Sequence, residues 1–177
     1  YLIDVLSKEL KKNDIVIADD GAHLTWAVQA FKIKYGQRFF SAWGNSPMGY
    51  AFPAAIGASI AKNKKKIICL DGDGSMIMHL GSITNIGHFA KNNYKHILLN
   101  NFSHESVGGQ KTGSENLNFQ ELAKGAGYKK YFYLNKQMYR ENVKKYADIV
   151  MNDIFLSTIN ANEINIENPG EIICGYK

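Results

Sequence analysis

The chain has 177 residues and a formal net charge of +5, and it is 45% hydrophobic and 21% charged. This length suits one domain with its own core, and the composition is ordinary for a globular protein. No apolar run approaches the roughly 18 residues of a membrane span. The lysines are scattered and no nucleic-acid-binding motif accompanies them, so we expect neither a membrane nor a nucleic-acid partner.

The cysteines indicate the redox state of the protein's compartment, and the first residues indicate whether the chain is part of a larger protein. Cys69 and Cys174 lie in apolar stretches and neither has a CxxC partner. We expect two buried thiols in a reducing compartment, and therefore a cytoplasmic location. The chain begins at Tyr1 in a helix-like segment, without an initiator methionine or a signal peptide. We therefore expect an excised domain or a subunit.

Short β-like runs alternate with helical patterns along the chain. Strands are predicted at 15–18, 38–42, 66–70, 95–99 and 154–159, and helices at 23–31, 48–61, 118–125 and 135–146, with further helical spacing over 76–90. This alternation predicts an α/β fold: a single domain over 1–177 with a doubly wound, mostly parallel sheet flanked by helices. Ligands bind such sheets beyond the carboxyl ends of the strands. Four polar clusters follow predicted strands, at 19–21, 42–47, 71–75 and 100–109.

The third cluster reads Asp71-Gly72-Asp73-Gly74-Ser75. Glycines on both sides of Asp73 allow a sharp turn, and a helix that begins there would favour an anion at its free N–H groups. A carboxylate beside an anion is explained if Mg²⁺ bridges the two. The residues of an EF-hand, a dinucleotide-binding fingerprint and a P-loop are missing. A plain strand-to-helix turn with a capping aspartate is the alternative.

The pair Asn100-Asn101 ends the next predicted strand and should lie at the same edge of the sheet. Asn101 follows Asp73 by 28 residues, the length of one helix and one strand. An amide oxygen is a good ligand for a hard cation, so Asp73, Asn101 and the carbonyl of Ser103 are candidates to hold one Mg²⁺. An asparagine pair at an ordinary turn is the alternative.

Together these motifs resemble those of thiamine-diphosphate-dependent enzymes. GDG with this spacing to NN is similar to their cofactor motif, and NSPMGYAFPAAIGA at 45–58 resembles their MGYxxPAAIGA segment. The loop NNFSHESVGGQKT at 100–112 is similar to NNGAHESVGGQPT of phosphonopyruvate decarboxylases, and sulfopyruvate decarboxylases are a close second. Residues 24–40 look more like acetolactate-synthase-like proteins.

The resemblance implies the diphosphate-binding domain of a thiamine-diphosphate- and Mg²⁺-dependent 2-oxo acid decarboxylase. Phosphonopyruvate is the favoured anionic substrate. A sulfopyruvate decarboxylase, an acetolactate-synthase-like carboligase and a non-catalytic assembly module with the same fold are the alternatives. In this family the glutamate that activates the cofactor comes from a pyrimidine-binding domain, which residues 1–177 lack, and Glu105 does not fit that role by position. The resemblance therefore implies a partner domain or subunit, a homo- or hetero-oligomer, and an isolated chain without activity.

The resemblance also implies roles for individual residues. Mg²⁺ would bind Asp73, Asn101 and the Ser103 carbonyl. His104 is the candidate catalytic proton donor, with a relayed water as the alternative. The cofactor-binding set is Gly21, His23, Ser46, Met48, Gly72, Asp73, Gly74, Ser75 and Asn101, and the substrate set is His104, Ser106, Gln110 and Thr112. Two positions depart from the family pattern: His23 replaces a frequent threonine, and Phe102 replaces a glycine. His79, His88 and His96 lack ligand spacing, and we expect them in packing or surface positions.

Overall fold

The computed structural model describes residues 2–90, 92–134 and 155–160, with the backbone alone for Leu134 and 155–160. The predicted helix at 135–146, the residues after Asn160 and the thiol of Cys174 lie outside the described residues. None of the described helices is long and apolar enough to cross a membrane.

Six parallel strands form the central sheet, which confirms the predicted α/β architecture. They are β1 (Ile15–Ala18), β2 (Arg38–Phe40), β3 (Ile67–Gly72), β4 (Tyr94–Asn100), β7 (Lys130–Leu134) and β8 (Phe155–Asn160). Their spatial order is β2-β1-β3-β4-β8-β7. After β1 the chain adds β2 on one side and then crosses to add β3 on the other. The strand order therefore reverses between β1 and β3, where doubly wound sheets bind ligands.

Helices cover both faces of this sheet. They are α1 (Leu2–Glu9), α2 (Ala22–Ala30), α3 (Ala51–Ala61), α4 (Asp73–Met78), α5 (Ile86–Phe89) and α6 (Phe119–Gly125). Helices α1 and α2 pack on one face, against Val16, Ile68 and Leu70. Helices α3, α5 and α6 pack on the other, against Ile17, Ile67 and Cys69. Side chains of a strand alternate between faces, so β1 and β3 supply both cores.

The helical spacing over 76–90 is broken in the structure. Helix α4 ends at Met78, residues 80–85 form a 3₁₀ helix, and α5 follows. The hydroxyl of Thr84 donates to the carbonyl of Gly81, and the amide of Asn85 donates to that of Ser82. Such local bonds compete with the α-helical pattern, which the apolar spacing does not reveal.

Other element boundaries shift for identifiable reasons. Strand β3 continues two residues beyond its predicted end, because Asp71 and Gly72 stay in register with β4. Helix α3 begins at Ala51 and not at Met48, because Gly49 has a positive φ of 88°. The second predicted strand ends at Phe40, and Asn118 caps α6 by accepting two backbone N–H bonds.

A buried polar cluster links β3, β4 and the segment before β7. Nδ1 of His96 lies 2.8 Å from the Tyr128 hydroxyl, and Nε2 lies 3.3 Å from Oδ2 of Asp71. The His96 ring also stacks on Phe52, with 5.0 Å between ring centroids. Burial raises the pKa of Asp71 well above its usual range and lowers the pKa of His96 to about 3. Burial thus favours the neutral form of both groups, and His96 occupies the packing position expected for it.

We predict that His96 makes the stability of this core depend on pH. Below pH 6.5 the unfolded chain binds a proton on His96 that the folded chain accepts only near pH 3. The advantage of the wild type over His96→Gln should therefore shrink by about 2 kcal/mol between pH 7 and pH 5. Urea unfolding at both values measures it. The exposed His88→Gln is the matched control and should show no such change.

Candidate functional site

A cleft opens at the carboxyl ends of β1 and β3, at the reversal of strand order. It gathers most of the residues that the sequence predicted: Gly21, His23, Met48, Gly72, Asp73, Gly74, Ser75, Asn101, Ser103, His104 and Ser106. Ser46, Gln110 and Thr112 are not among the lining residues. The sequence did not single out five others that line it: Asp20, Ala22, Trp26, Leu99 and Glu105. Trp26 follows His23 by three residues in α2, so helical spacing alone would place it there.

Asp73 is the first residue of α4 and is only 2% exposed. Its Oδ2 accepts hydrogen bonds from the hydroxyls of Thr112 at 2.5 Å and Ser114 at 2.7 Å. Its Oδ1 lies 3.4 Å from the backbone nitrogen of Asn101. The structure therefore brings the GDG and NN motifs into contact. It also moves Thr112 from the predicted substrate side of the cleft to the carboxylate of Asp73.

The side chain of Asn101 is held at both ends. Its Oδ1 accepts the N–H of Ser103 at 3.1 Å, and its Nδ2 donates to Oε2 of Glu105 at 2.9 Å. The preceding Asn100 accepts a hydrogen bond from the Phe102 N–H, and its Oδ1 lies 3.3 Å from the Ser114 hydroxyl oxygen. The pair is thus integrated into the loop that follows β4.

Two glycines and His23 form the floor of the cleft on the β1 side. A Cβ atom on Gly21 would lie 2.9 Å from Cε1 of His23, and one on Gly72 would lie 3.0 Å from it. The imidazole is buried, and its Nε2 has no hydrogen-bond partner among the described residues. Burial lowers the pKa of His23 to about 4, so the ring is neutral near pH 7. A neutral, unpaired ring nitrogen beside bare backbone suits contact with a polar ligand.

His104 covers the opposite end of the GDG turn. A Cβ atom on Gly74 would lie 2.5 Å from its Cε1, so only glycine leaves room for this imidazole. The residue belongs to a short antiparallel hairpin of β5 (Ser103–His104) and β6 (Gln110–Lys111). Phe102, which enters the hairpin, has a left-handed φ of 60°. This is a conformation that glycine adopts without a Cβ clash and that other residues adopt rarely.

The loop before α3 completes the rim of the cleft. The buried carboxylate of Asp19 accepts the N–H groups of Gly49 and Ala51 and so ties this loop to the end of β1. Met48 lines the cleft, whereas Ser46 is exposed and has a positive φ of 44°. The buried Asp19 thus sets the position of Met48.

One further carboxylate faces the cleft. Burial and the neighbouring Asp19 raise the pKa of Asp20. The carbonyl of Asp20 accepts a hydrogen bond from the Ser75 hydroxyl at 2.9 Å, which joins the turn after β1 to α4. Among the described residues, no lysine or arginine forms an ion pair with the Asp20 carboxylate, so an anionic ligand would meet its charge.

The fold and the cleft define a cofactor-binding domain built on a doubly wound sheet. Residues 19–153 match the thiamine pyrophosphate enzyme family, C-terminal TPP-binding domain. The chain belongs to this family. The sheet, the GDG turn and the NN loop are the parts of the chain in which that membership is visible.

Three relatives show the range of similarity. Sulfopyruvate decarboxylase subunit beta of Methanocaldococcus jannaschii is 34% identical over 130 residues, which is 71% of this chain and 65% of the relative. Acetolactate synthase isozyme 1 large subunit of Escherichia coli is 32% identical over 56% of this chain and 18% of the relative. The acetolactate synthase large subunit of Porphyra purpurea is 29% identical over 94% of this chain and 30% of the relative. The chain thus spans less than two thirds of these relatives.

We predict that Gly74→Ala displaces His104, because the new Cβ and the imidazole cannot share the space. Overpacking of this kind costs about 1–3 kcal/mol. Thermal unfolding, together with the NMR shifts of the His104 ring, measures the effect. Gly81→Ala is the matched control, since a Cβ there meets nothing within 4 Å. Equal stabilities of the two variants would contradict the described packing.

Proposed function

We propose that this chain is the diphosphate- and Mg²⁺-binding part of a thiamine-diphosphate-dependent 2-oxo acid decarboxylase. The contact between Asp73 and Asn101, at the edge of a cleft floored by Gly21 and Gly72, carries the proposal. Family membership supports the cofactor. The donor set supports the metal, because carboxylate, amide and carbonyl oxygens suit Mg²⁺.

Asp73, Asn101 and the Ser103 carbonyl would hold the ion. Gly21, Gly72, Gly74 and Ser75 would admit the diphosphate close to the backbone, and Nε2 of His23 would contact one of its oxygens. Met48 would support the cofactor from the rim. Ser46 is exposed, so we propose at most a backbone contact for it. When bound, thiamine diphosphate supplies the electron sink that decarboxylation requires.

His104 is the proposed proton donor in this cleft. Its ring lies over Gly74, and Ser106 lines the same side. An imidazole in this position can donate a proton to a group bound in the cleft. Of the residues proposed for the substrate, His104 and Ser106 therefore face the cleft. Gln110 turns towards Gly108, and Thr112 is engaged by Asp73.

The proposed substrate class is a short 2-oxo acid with a second anionic group, phosphonopyruvate or sulfopyruvate. The resemblance of the loop at 100–112 supports phosphonopyruvate, and the similarity to a sulfopyruvate decarboxylase subunit supports sulfopyruvate. The similarity to acetolactate synthases supports carboligation of pyruvate as the second candidate.

A second polypeptide or domain would complete the site. The relative from M. jannaschii is named as a subunit beta, and this chain spans only part of each relative described above. We propose that a pyrimidine-binding domain or subunit supplies the activating glutamate, within a homo- or hetero-oligomer.

Two of the carboxylates that line the cleft, Asp73 and Asp20, should respond in opposite ways to neutralisation. In the complete protein, Asp73→Asn should abolish Mg²⁺-dependent binding of thiamine diphosphate, because it removes the charged ligand. Asp20→Asn should instead strengthen binding by a few-fold at pH 7, because it removes a negative charge that faces the diphosphate. Isothermal titration calorimetry with and without Mg²⁺ measures both. Unchanged binding in Asp73→Asn would refute the site, and a non-catalytic module would bind no cofactor at all.

Replacement of His104 should separate chemistry from cofactor binding. In the complete protein, His104→Ala should slow product release by about 10²-fold or more, the usual contribution of a general acid, while the affinity for cofactor stays the same. Product analysis with phosphonopyruvate, sulfopyruvate and pyruvate identifies the substrate. Turnover equal to that of the wild type would exclude the role of His104, and acetolactate as sole product would favour the carboligase.

A further inference from the structure

We propose that Glu105 is a positioning residue, which fixes the amide of Asn101 in the single orientation that presents oxygen to a metal ion. Thr112 and Ser114 likewise hold the carboxylate of Asp73 in one orientation. This inference rests on the proposed function, because it takes Asp73 and Asn101 as the ligands of Mg²⁺.

The orientation of Asn101 follows from its two partners. A carboxylate accepts hydrogen bonds and cannot donate them, so the group that faces Glu105 at 2.9 Å must be the amide nitrogen. The N–H of Ser103 donates only, so the group that faces it at 3.1 Å must be the oxygen. Both contacts select the same state. Rotation of the amide by half a turn would break both bonds and present N–H groups to the cation.

The orientation of Asp73 follows from two hydroxyl groups. Thr112 and Ser114 both donate to Oδ2, at 2.5 and 2.7 Å, and their oxygens lie 2.8 Å apart. Ser114 is 1% exposed and Thr112 is half-buried, so the Ser114 contact with Asp73 is shielded from solvent. With Oδ2 engaged, the other oxygen, Oδ1, is the one that lies beside Asn101. A metal ligand held in this way loses little freedom when it binds the ion.

Glu105 has a second possible mode of action, direct ligation, because it also lines the cleft. Glutamine at position 105 would preserve one mode of action and weaken the other. A glutamine oxygen accepts the bond from Asn101 as a carboxylate does, so it preserves positioning. It carries no charge, so it replaces a direct carboxylate ligand poorly. The pair Glu105→Gln and Glu105→Ala therefore distinguishes positioning from ligation.

The experiment measures the Mg²⁺ concentration that half-saturates binding of thiamine diphosphate to the complete protein, followed by the fluorescence of Trp26 in the cleft. Glu105→Ala should raise this concentration about tenfold or more, the usual effect of losing a partner of a metal ligand. Glu105→Gln should stay within about threefold of the wild type, and saturating Mg²⁺ should restore turnover in both variants. Thr112→Val should behave like Glu105→Ala. Glu115→Ala, which removes an ion pair to Lys111 outside the cleft, should change nothing.

Three results would overturn the inference. The first is a half-saturating Mg²⁺ concentration that stays at the wild-type value in both Glu105→Ala and Thr112→Val. The second is a rise in this concentration that is equal in Glu105→Gln and Glu105→Ala. The third is a fall in the metal-free melting temperature that accounts for the weaker binding. Asp73→Asn is the reference variant. If Asp73→Asn also leaves the Mg²⁺ requirement unchanged, the proposed function has failed. If Asp73→Asn loses cofactor binding while the Glu105 variants bind normally, only the positioning role is refuted.

Discussion

The parallel pairing of β3 between β1 and β4 is the constraint on which the site depends. In this register Ala18 lies opposite Leu70, and Gly72 lies opposite Leu99. The turns that leave the three strands therefore emerge side by side. Segments that are distant in the chain supply the glycine floor, the GDG carboxylate and the asparagine loop. No single turn contains the site, and a slip of one residue would move every side chain of a strand to the opposite face.

Three aspartates crowd this edge, and each is accommodated by different chemistry. Asp19 accepts hydrogen bonds from backbone N–H groups, burial raises the pKa of Asp71 and so favours its neutral form, and Asp73 accepts hydrogen bonds from hydroxyl groups. Burial of a charged carboxylate without such hydrogen bonds would cost several kcal/mol of folding free energy. Of the three, only Asp73 lines the cleft. Asp73 is thus the buried aspartate placed where a cation is proposed to bind.

The alternation of strands and helices, and the meeting of Asp73 with Asn101, were predictable from the sequence, because strand ends of a parallel sheet share an edge. The break of the helix over 76–90 was not, because it depends on side-chain bonds of Thr84 and Asn85. The role of Thr112 was also hidden. A hydroxyl near glycines is compatible with an anion site, and only the hairpin of β5 and β6 turns it towards Asp73. Contacts between loops leave no periodic signal.

The packing of His23 against Gly21 and Gly72 has a consequence for how such chains can diverge. A methyl group at either glycine position would occupy the space of the imidazole. Alanine at 21 or 72 therefore requires the ring of His23 to shift or residue 23 to become smaller, although Gly21 precedes α2 and Gly72 ends β3. A smaller residue at 23, by contrast, is compatible with both glycines.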